Sequence, residues 1–212
     1  NDEDELNNYI LSQSIFQDQD NWYPYGGKDK SDTGNFGAFE TQQPNAVPAL
    51  VEKLTNSIDA LLLKQCRIEG IDPKSNSAPI SMPQAVEMFY GIKNGDFSEV
   101  SKKRRREIAE DTQIIATGNR ERPNILVYDN GEGQHPDDFR RTFLSLLARN
   151  KTGIRFVQGK YNMGSTGAVV YCGNHKYQLI ASRRNAKLNS SGKGDVFGFT
   201  LIRRHPLTQK EE

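Results

Sequence analysis

Leu50-Val51-Glu52-Lys53-Leu54-Thr55-Asn56-Ser57-Ile58-Asp59-Ala60-Leu61-Leu62-Leu63 decides how the rest of the chain is read. At about 100° per residue this stretch predicts a helix. Leu50, Leu54, Ile58, Leu61 and Leu62 fall on one arc, which is expected to pack a core. Glu52, Asn56 and Asp59 stand at i, i+4 and i+7 and form a narrow stripe on the other side. Such a stripe is usually a solvated face. The residue types argue otherwise, because Asn and Asp side chains compete for nearby backbone groups and are poor in helix interiors. A solvated stripe would more naturally carry Lys, Gln or Glu. Pro44 and Pro48 suit the entry and first turn of this helix.

Downstream, Asn124-Ile125-Leu126-Val127-Tyr128 is a short apolar run that predicts a buried strand. It ends in Asp129-Asn130-Gly131-Glu132-Gly133. Asp-Asn-Gly can be a hairpin turn, which would require an alternating strand to follow. Instead Pro136-Asp137-Asp138 opens a predicted helix, with Phe139, Phe143, Leu146 and Leu147 on one face. Strand, glycine turn and helix in that order are a common geometry for a ligand site. Further on, Gly159, Gly164 and Gly167 allow backbone amides to close on phosphates. Their spacing nearly matches a P-loop, but Ser165 stands where that loop needs Lys.

Lys176 to Ser182 and Val196 to Arg203 read as two strands that pair. Ala168 to Tyr171 suits either a strand or the first turns of a helix. Residues 66–122 read as an insertion, with a short helix from Pro83 to Tyr90 and a charged helix from about Ser98 to Ala116. The run Lys102-Lys103-Arg104-Arg105-Arg106 in that helix is followed by Glu107, Glu110 and Asp111, which favours a solvated face over a phosphate contact. Residues 1–43 form a polar arm carrying Trp22, Tyr23 and Tyr25, which either docks or stays free. The domain proper spans 44–205, and 206–212 is a polar tail.

Three pieces thus stand in order: Glu-x3-Asn-x2-Asp-Ala, Asp-x-Gly-x-Gly, and a later glycine-rich loop. Together they resemble the ATP-binding domain of the GHKL superfamily, which includes gyrase, the ninety-kilodalton heat-shock chaperones, histidine kinases and the MutL mismatch-repair proteins. The resemblance covers roughly Pro44 to Arg203. It implies an α+β fold of the Bergerat type, a two-layer sandwich with a mixed sheet under helices. It implies magnesium-dependent ATP binding and hydrolysis by a conformational switch within a larger protein. Glu52 matches the general base, Asn56 the magnesium ligand, and Asp59 the Asp beside the nucleotide, while Ala60 leaves the ligand room. Asp129 matches the carboxylate that takes the adenine amine, with Gly131 and Gly133 letting backbone approach the base. Gly159, Lys160, Asn162, Met163, Gly164, Ser165, Thr166 and Gly167 match the lid over the phosphates, and Lys151 stands just before it. Thr200 matches the Thr that supports the adenine-binding Asp. The lid departs from the tighter Gly-x-Gly patterns of the best-known members.

A histidine kinase domain and a nucleotide-gated interaction module with little turnover are the alternatives. Glu52 argues against the kinase, since a water-activating base is counterproductive when phosphate must reach a histidine. The resemblance also allows an ATP-dependent homodimer and further domains downstream.

Composition sets the outer limits. With 212 residues the chain suits one domain with insertions. A net charge of +1 creates no global field that selects nucleic acid or membrane. Nucleic acid is therefore admitted but not indicated as a partner. A mean hydropathy of −0.74 indicates substantial polar loops. No apolar run approaches membrane-spanning length, and no signal peptide opens the sequence. Cys66 and Cys172 are too few for a disulfide framework, so a reducing cytoplasmic setting is expected, with the nucleus not excluded. Cys172 with His175 offers two ligands, short of a zinc site.

Overall fold

The computed structural model describes residues 3–26, 45–145, 151–159, 167–189 and 193–203. In chain order the elements are α1 (Glu3–Ser12), α2 (Ser14–Gln17), α3 (Ala46–Ile68), α4 (Met82–Tyr90), α5 (Lys102–Ala109), β1 (Thr112–Gly118), β2 (Pro123–Asp129), β3 (Gln178–Arg183) and β4 (Phe197–Ile202). Short 3-10 turns lie between them. The architecture is α+β, with small antiparallel sheets packed against helices. β1 pairs with β2 and β3 with β4, both antiparallel, as two separate two-stranded sheets. A mixed sheet is not formed among the described residues.

α3 starts where the sequence places it. The Asn45 side chain accepts from Val47 N at 3.0 Å and caps the first turn, where Pro48 also sits. Its burial is not the simple division that periodicity suggests. Leu61 and Leu62 are buried, but Ile58 is 41% exposed and Asp59 is 0% exposed. The reason is that Glu52, Asn56 and Asp59 share a line with Leu62, Leu63 and Cys66, one helical face that changes from polar to apolar along its length. The apolar part forms the core with Ala78, Ala85, Ile154, Phe156 and Val157. Phe89 of α4 meets Phe156 edge-on at 6.3 Å. The polar part therefore begins where the core ends. α4, within the stretch read as an insertion, helps build this core. It is capped by Ser81 and stopped by Gly91 at φ 68°.

The charged helix is shorter than expected. Ser101 caps α5, which stops at Ala109, and Thr112–Gly118 is strand β1. β-Branched Thr112, Ile114, Ile115 and Thr117 favour extended backbone once β2 provides a ladder. β2 is a strand as expected but is not buried. Only Val127 is partly covered, and Ile114, Ile125, Leu126 and Tyr128 remain exposed. α3 covers part of one side of this two-stranded ribbon, and α5 touches β1. After the glycine turn the expected helix is a 3-10 turn over Pro136–Arg141, in which Phe139 is buried against Phe143. Leu146 and Leu147 lie outside the described residues. The ambiguous Val169–Tyr171 is also a single 3-10 turn.

The described part of the N-terminal arm docks on the same chain. The Glu3 carboxylate accepts from His175 N at 2.6 Å, and Tyr177 OH donates to Asn7 Oδ1 at 2.6 Å. Arg203 stacks over Trp22, Arg140 over Tyr23, and Tyr25 OH donates to the Phe143 carbonyl. The helix α1 was not expected from so polar a segment. Its support is tertiary, as an isolated helix this short is marginal in water. Tyr177→Phe is expected to cost about 1 kcal/mol locally and to speed amide exchange across Glu3–Ser12 by about fivefold. Unchanged exchange there would mean that α1 does not depend on this bond.

No helix among the described residues is long and apolar enough to cross a membrane. Cys66 is buried and Cys172 half-buried, both as free thiols. The described residues contain no cluster of three His, Cys, Asp or Glu side chains able to hold a metal.

Candidate functional site

Two groups of side chains meet on consecutive residues of α3. The first surrounds Asp59. Its carboxylate is fully buried, and three donors satisfy it: Gln158 N at 2.9 Å, Gly159 N at 2.9 Å and Lys151 Nζ at 3.0 Å. A buried carboxylate is tolerable only when paired and hydrogen-bonded in this way. Asp59 thus acts on the chain itself, by holding the segment that leads into Gly159. That segment is also held from below. Ile154, Phe156 and Val157 enter the core, and the Arg155 guanidinium donates to the carbonyls of Ser75 and Ala78. Lys151 reaches one step further, donating to Asn56 Oδ1 at 3.3 Å. Gly159 comes so close that a Cβ there would lie 2.5 Å from Asn56 Oδ1.

The second group surrounds Ala60. The turn after β2 lies across α3 at this residue. Glu132 N donates to the Ala60 carbonyl at 3.1 Å, and a Cβ on Gly131 would stand 2.5 Å from Ala60 Cβ. Both residues must therefore be small. Gly133 has φ +59°, and a Cβ on it would strike the Arg183 carbonyl. Asp129 Oδ1 accepts from Gly131 N at 3.0 Å, which fixes the carboxylate at the mouth of the turn. Crowding of this carboxyl away from water raises its pKa above the ordinary Asp value, against the hydrogen bonds from Gly131 and Ser57 and the charges of Lys64 and Lys151. The Lys64 ammonium, itself buried, caps the Asn130 carbonyl.

Glu132 ties the turn to both neighbours, pairing with Arg67 of α3 at 2.9 Å and with Arg184 after β3 at 3.2 Å. Arg67, Glu132 and Arg184 carry no pattern in the sequence that would single them out. Lys64 is equally silent, because a lysine on a helix usually faces water.

Glu52 stands one turn before Asn56 and is half-buried. Beside it, burial lowers the Lys53 pKa to about 8, against the opposing pull of Cys172 and Glu52. Gly167 is described and buried, at the start of the turn before Val169. Lys160, Asn162, Met163, Gly164, Ser165 and Thr166 lie outside the described residues. Thr200 is on β4, in register with Ile180, and β4 lies in a different sheet from β2, which carries Asp129. The Ser57 hydroxyl of α3 donates to the Lys53 carbonyl at 3.2 Å.

These residues offer a fixed carboxylate, an amide oxygen and an ammonium close to two glycine-containing segments. A fixed carboxylate beside a glycine turn can accept a hydrogen bond from an amine, and Gly131 packs directly on Ala60. Asn56 presents an amide oxygen, a hard donor of the kind Mg²⁺ accepts, and a cationic ammonium already rests on it. Two cavities of about 240 and 350 Å³ lie elsewhere, one between α3, α4 and α5 and one beside Gly91 to Val100. Neither is lined by Asn56, Asp59 or Asp129; the first is lined by Tyr90, Arg104, Glu107 and Asp111 among others. Compared with protein-family models, with curated proteins and with solved structures, the chain has no match in any of the three.

Proposed function

We propose that this chain is a magnesium-dependent ATP-binding and ATP-hydrolysing domain of the GHKL kind, with a Bergerat-type fold, working as a conformational switch. One observation carries the reading: Asp59 holds the base of the glycine-rich loop while the next residue, Ala60, seats the Asp129–Gly133 turn. The two halves that a nucleotide would bridge are thus gauged against a single turn of α3.

In this reading Asp129 accepts the adenine amine, and Gly131 allows the base to lie against backbone. Asn56 would hold magnesium, which when bound supplies charge neutralisation at the phosphates. Glu52, one turn earlier on the same face, orients a water and takes its proton. Asp59 acts indirectly, by positioning the loop through Gln158 and Gly159. A module that binds ATP with little turnover is the second reading, favoured by the ammonium of Lys151 lying on the very oxygen assigned to the metal.

Calorimetry with ATP, GTP and adenosine, with and without magnesium, tests the proposal. ATP is expected to bind at least about tenfold tighter than GTP, since guanine presents a carbonyl to the Asp129 carboxylate and one bond goes unmade. Magnesium is expected to strengthen ATP but not adenosine. A folded protein that binds none of the three overturns the reading. Single-turnover phosphate release then separates hydrolysis from the low-turnover alternative.

A further inference from the structure

The ammonium of Lys151 serves two acceptors at once. It lies 3.0 Å from Asp59 Oδ2 and 3.3 Å from Asn56 Oδ1. Asp59 needs a counter-charge because it is fully buried, and an ion pair alone would meet that need. Nothing in that need requires the ammonium to lean on Asn56 as well. The amide oxygen is a hard, uncharged donor, and Gly159 packs so tightly against it that a Cβ would not fit. The space beside Asn56 Oδ1 is therefore small, oxygen-lined and adjacent to a carboxylate, and the chain's own cation fills it. Lys151 keeps 27% of its side chain exposed, so it has a way out toward solvent.

We infer that Lys151 is a stand-in cation: in the nucleotide-free protein it holds the position at Asn56 that the metal takes in the loaded one. The inference rests on the ATPase reading and adds a positioning residue to it. A metal on Asn56 Oδ1 would sit close to the Lys151 ammonium, 3.3 Å from the same oxygen, and like charges that near repel, so metal-nucleotide entry is coupled to withdrawal of Lys151 from Asn56. Withdrawal leaves Asp59 with only its two amide donors, Gln158 N and Gly159 N. The carboxylate that releases the lysine is thus the same one that anchors the glycine-rich loop, which connects metal arrival to the base of that loop. When magnesium is scarce, Lys151 remains in place and neutralises part of the phosphate charge itself.

The test compares dissociation constants of a non-hydrolysable ATP analogue in excess magnesium and in EDTA. It uses the wild-type chain, Lys151→Gln, and the double variant Lys151→Gln/Asp59→Asn. The double variant leaves no unpaired buried charge, so it keeps the test available if the single variant does not fold, and thermal unfolding without nucleotide reports this. The ratio of the constant in EDTA to that in magnesium is expected to rise about tenfold in either variant, the scale of losing one close but partly screened charge. A purely structural lysine would weaken both constants equally, and an unchanged ratio in the folded variants overturns the inference while leaving the ATPase reading intact. A wild-type chain that binds the analogue in neither condition overturns both. In the wild type, reductive methylation of Lys151 followed by mass spectrometry is expected to increase when magnesium is added to the metal-free complex. Identical labelling in the two complexes also overturns it.

Discussion

Asp129→Asn is expected to lower affinity for adenine nucleotides by about two orders of magnitude while the protein stays folded. Hydrogen bonds to a charged acceptor contribute about 1.5–3 kcal/mol, and each 1.4 kcal/mol is tenfold in affinity. The geometry makes the loss hard to evade. Gly131 N already donates to Asp129 Oδ1 at 3.0 Å, so the side chain cannot turn freely. An Asn that keeps this bond through its oxygen must aim its NH₂ outward, and adenine's amine then meets a donor. Stability should move the other way from affinity. Crowding raises the Asp129 pKa, so the carboxylate disfavours folding; its proton is retained more strongly in the folded state than in the unfolded chain. That contribution to stability is fully present below the unfolded pKa and is lost as pH rises through the raised folded value. Removing the charge should therefore not lower the melting temperature at neutral pH through this group. The same shift predicts a pH profile. Wild-type affinity for ATP should fall as pH drops through the raised Asp129 pKa, sooner than an ordinary Asp would allow. Calorimetry across pH, beside thermal unfolding, checks both points. Unchanged ATP affinity in folded Asp129→Asn would remove Asp129 from the site.

Glu52→Ala is expected to lower the single-turnover rate of ATP hydrolysis by about 10²–10⁴-fold, the usual worth of a positioned general base. Affinity should change little, because the carboxylate acts on a water and need not touch the nucleotide in the ground state. Its location supports this division of labour. Glu52 lies on the polar line of α3, one turn from Asn56, at the end away from Ala60 and the Asp129 turn. The base and the phosphates are thus at opposite ends of the proposed ligand from adenine. Excess protein and a single turnover make a slow rate measurable and separate chemistry from product release. A folded Glu52→Ala chain that binds ATP and hydrolyses it at the wild-type rate would exclude the general-base role. If neither protein hydrolyses bound ATP, the low-turnover switch becomes the better reading.

The elements that could be read from the sequence are those specified locally. α3 shows its period and its cap, α4 its Ser81 start and Gly91 stop, and β3 and β4 their alternation with a polar loop between them. Each depends on residues within a few positions of one another. The ordered motifs suggest that α3 and the Asp129 turn belong together, and Gly131 and Glu132 do lie against Ala60. What could not be read depends on distant partners. Thr112 to Gly118 continues a charged helical stretch in sequence, and becomes a strand because β2 is there to pair with it. Ile58 has the period of a core residue, yet no element among the described residues buries it. Asp59 is placed by its motif beside a ligand and is instead the most buried charged group on α3, because amides 99 and 100 residues later close on it. Lys151 could be seen as a polar residue before the loop. That its ammonium rests on both Asp59 and Asn56 was decided only when the core drew Ile154, Phe156 and Val157 against α3 and carried the lysine with them.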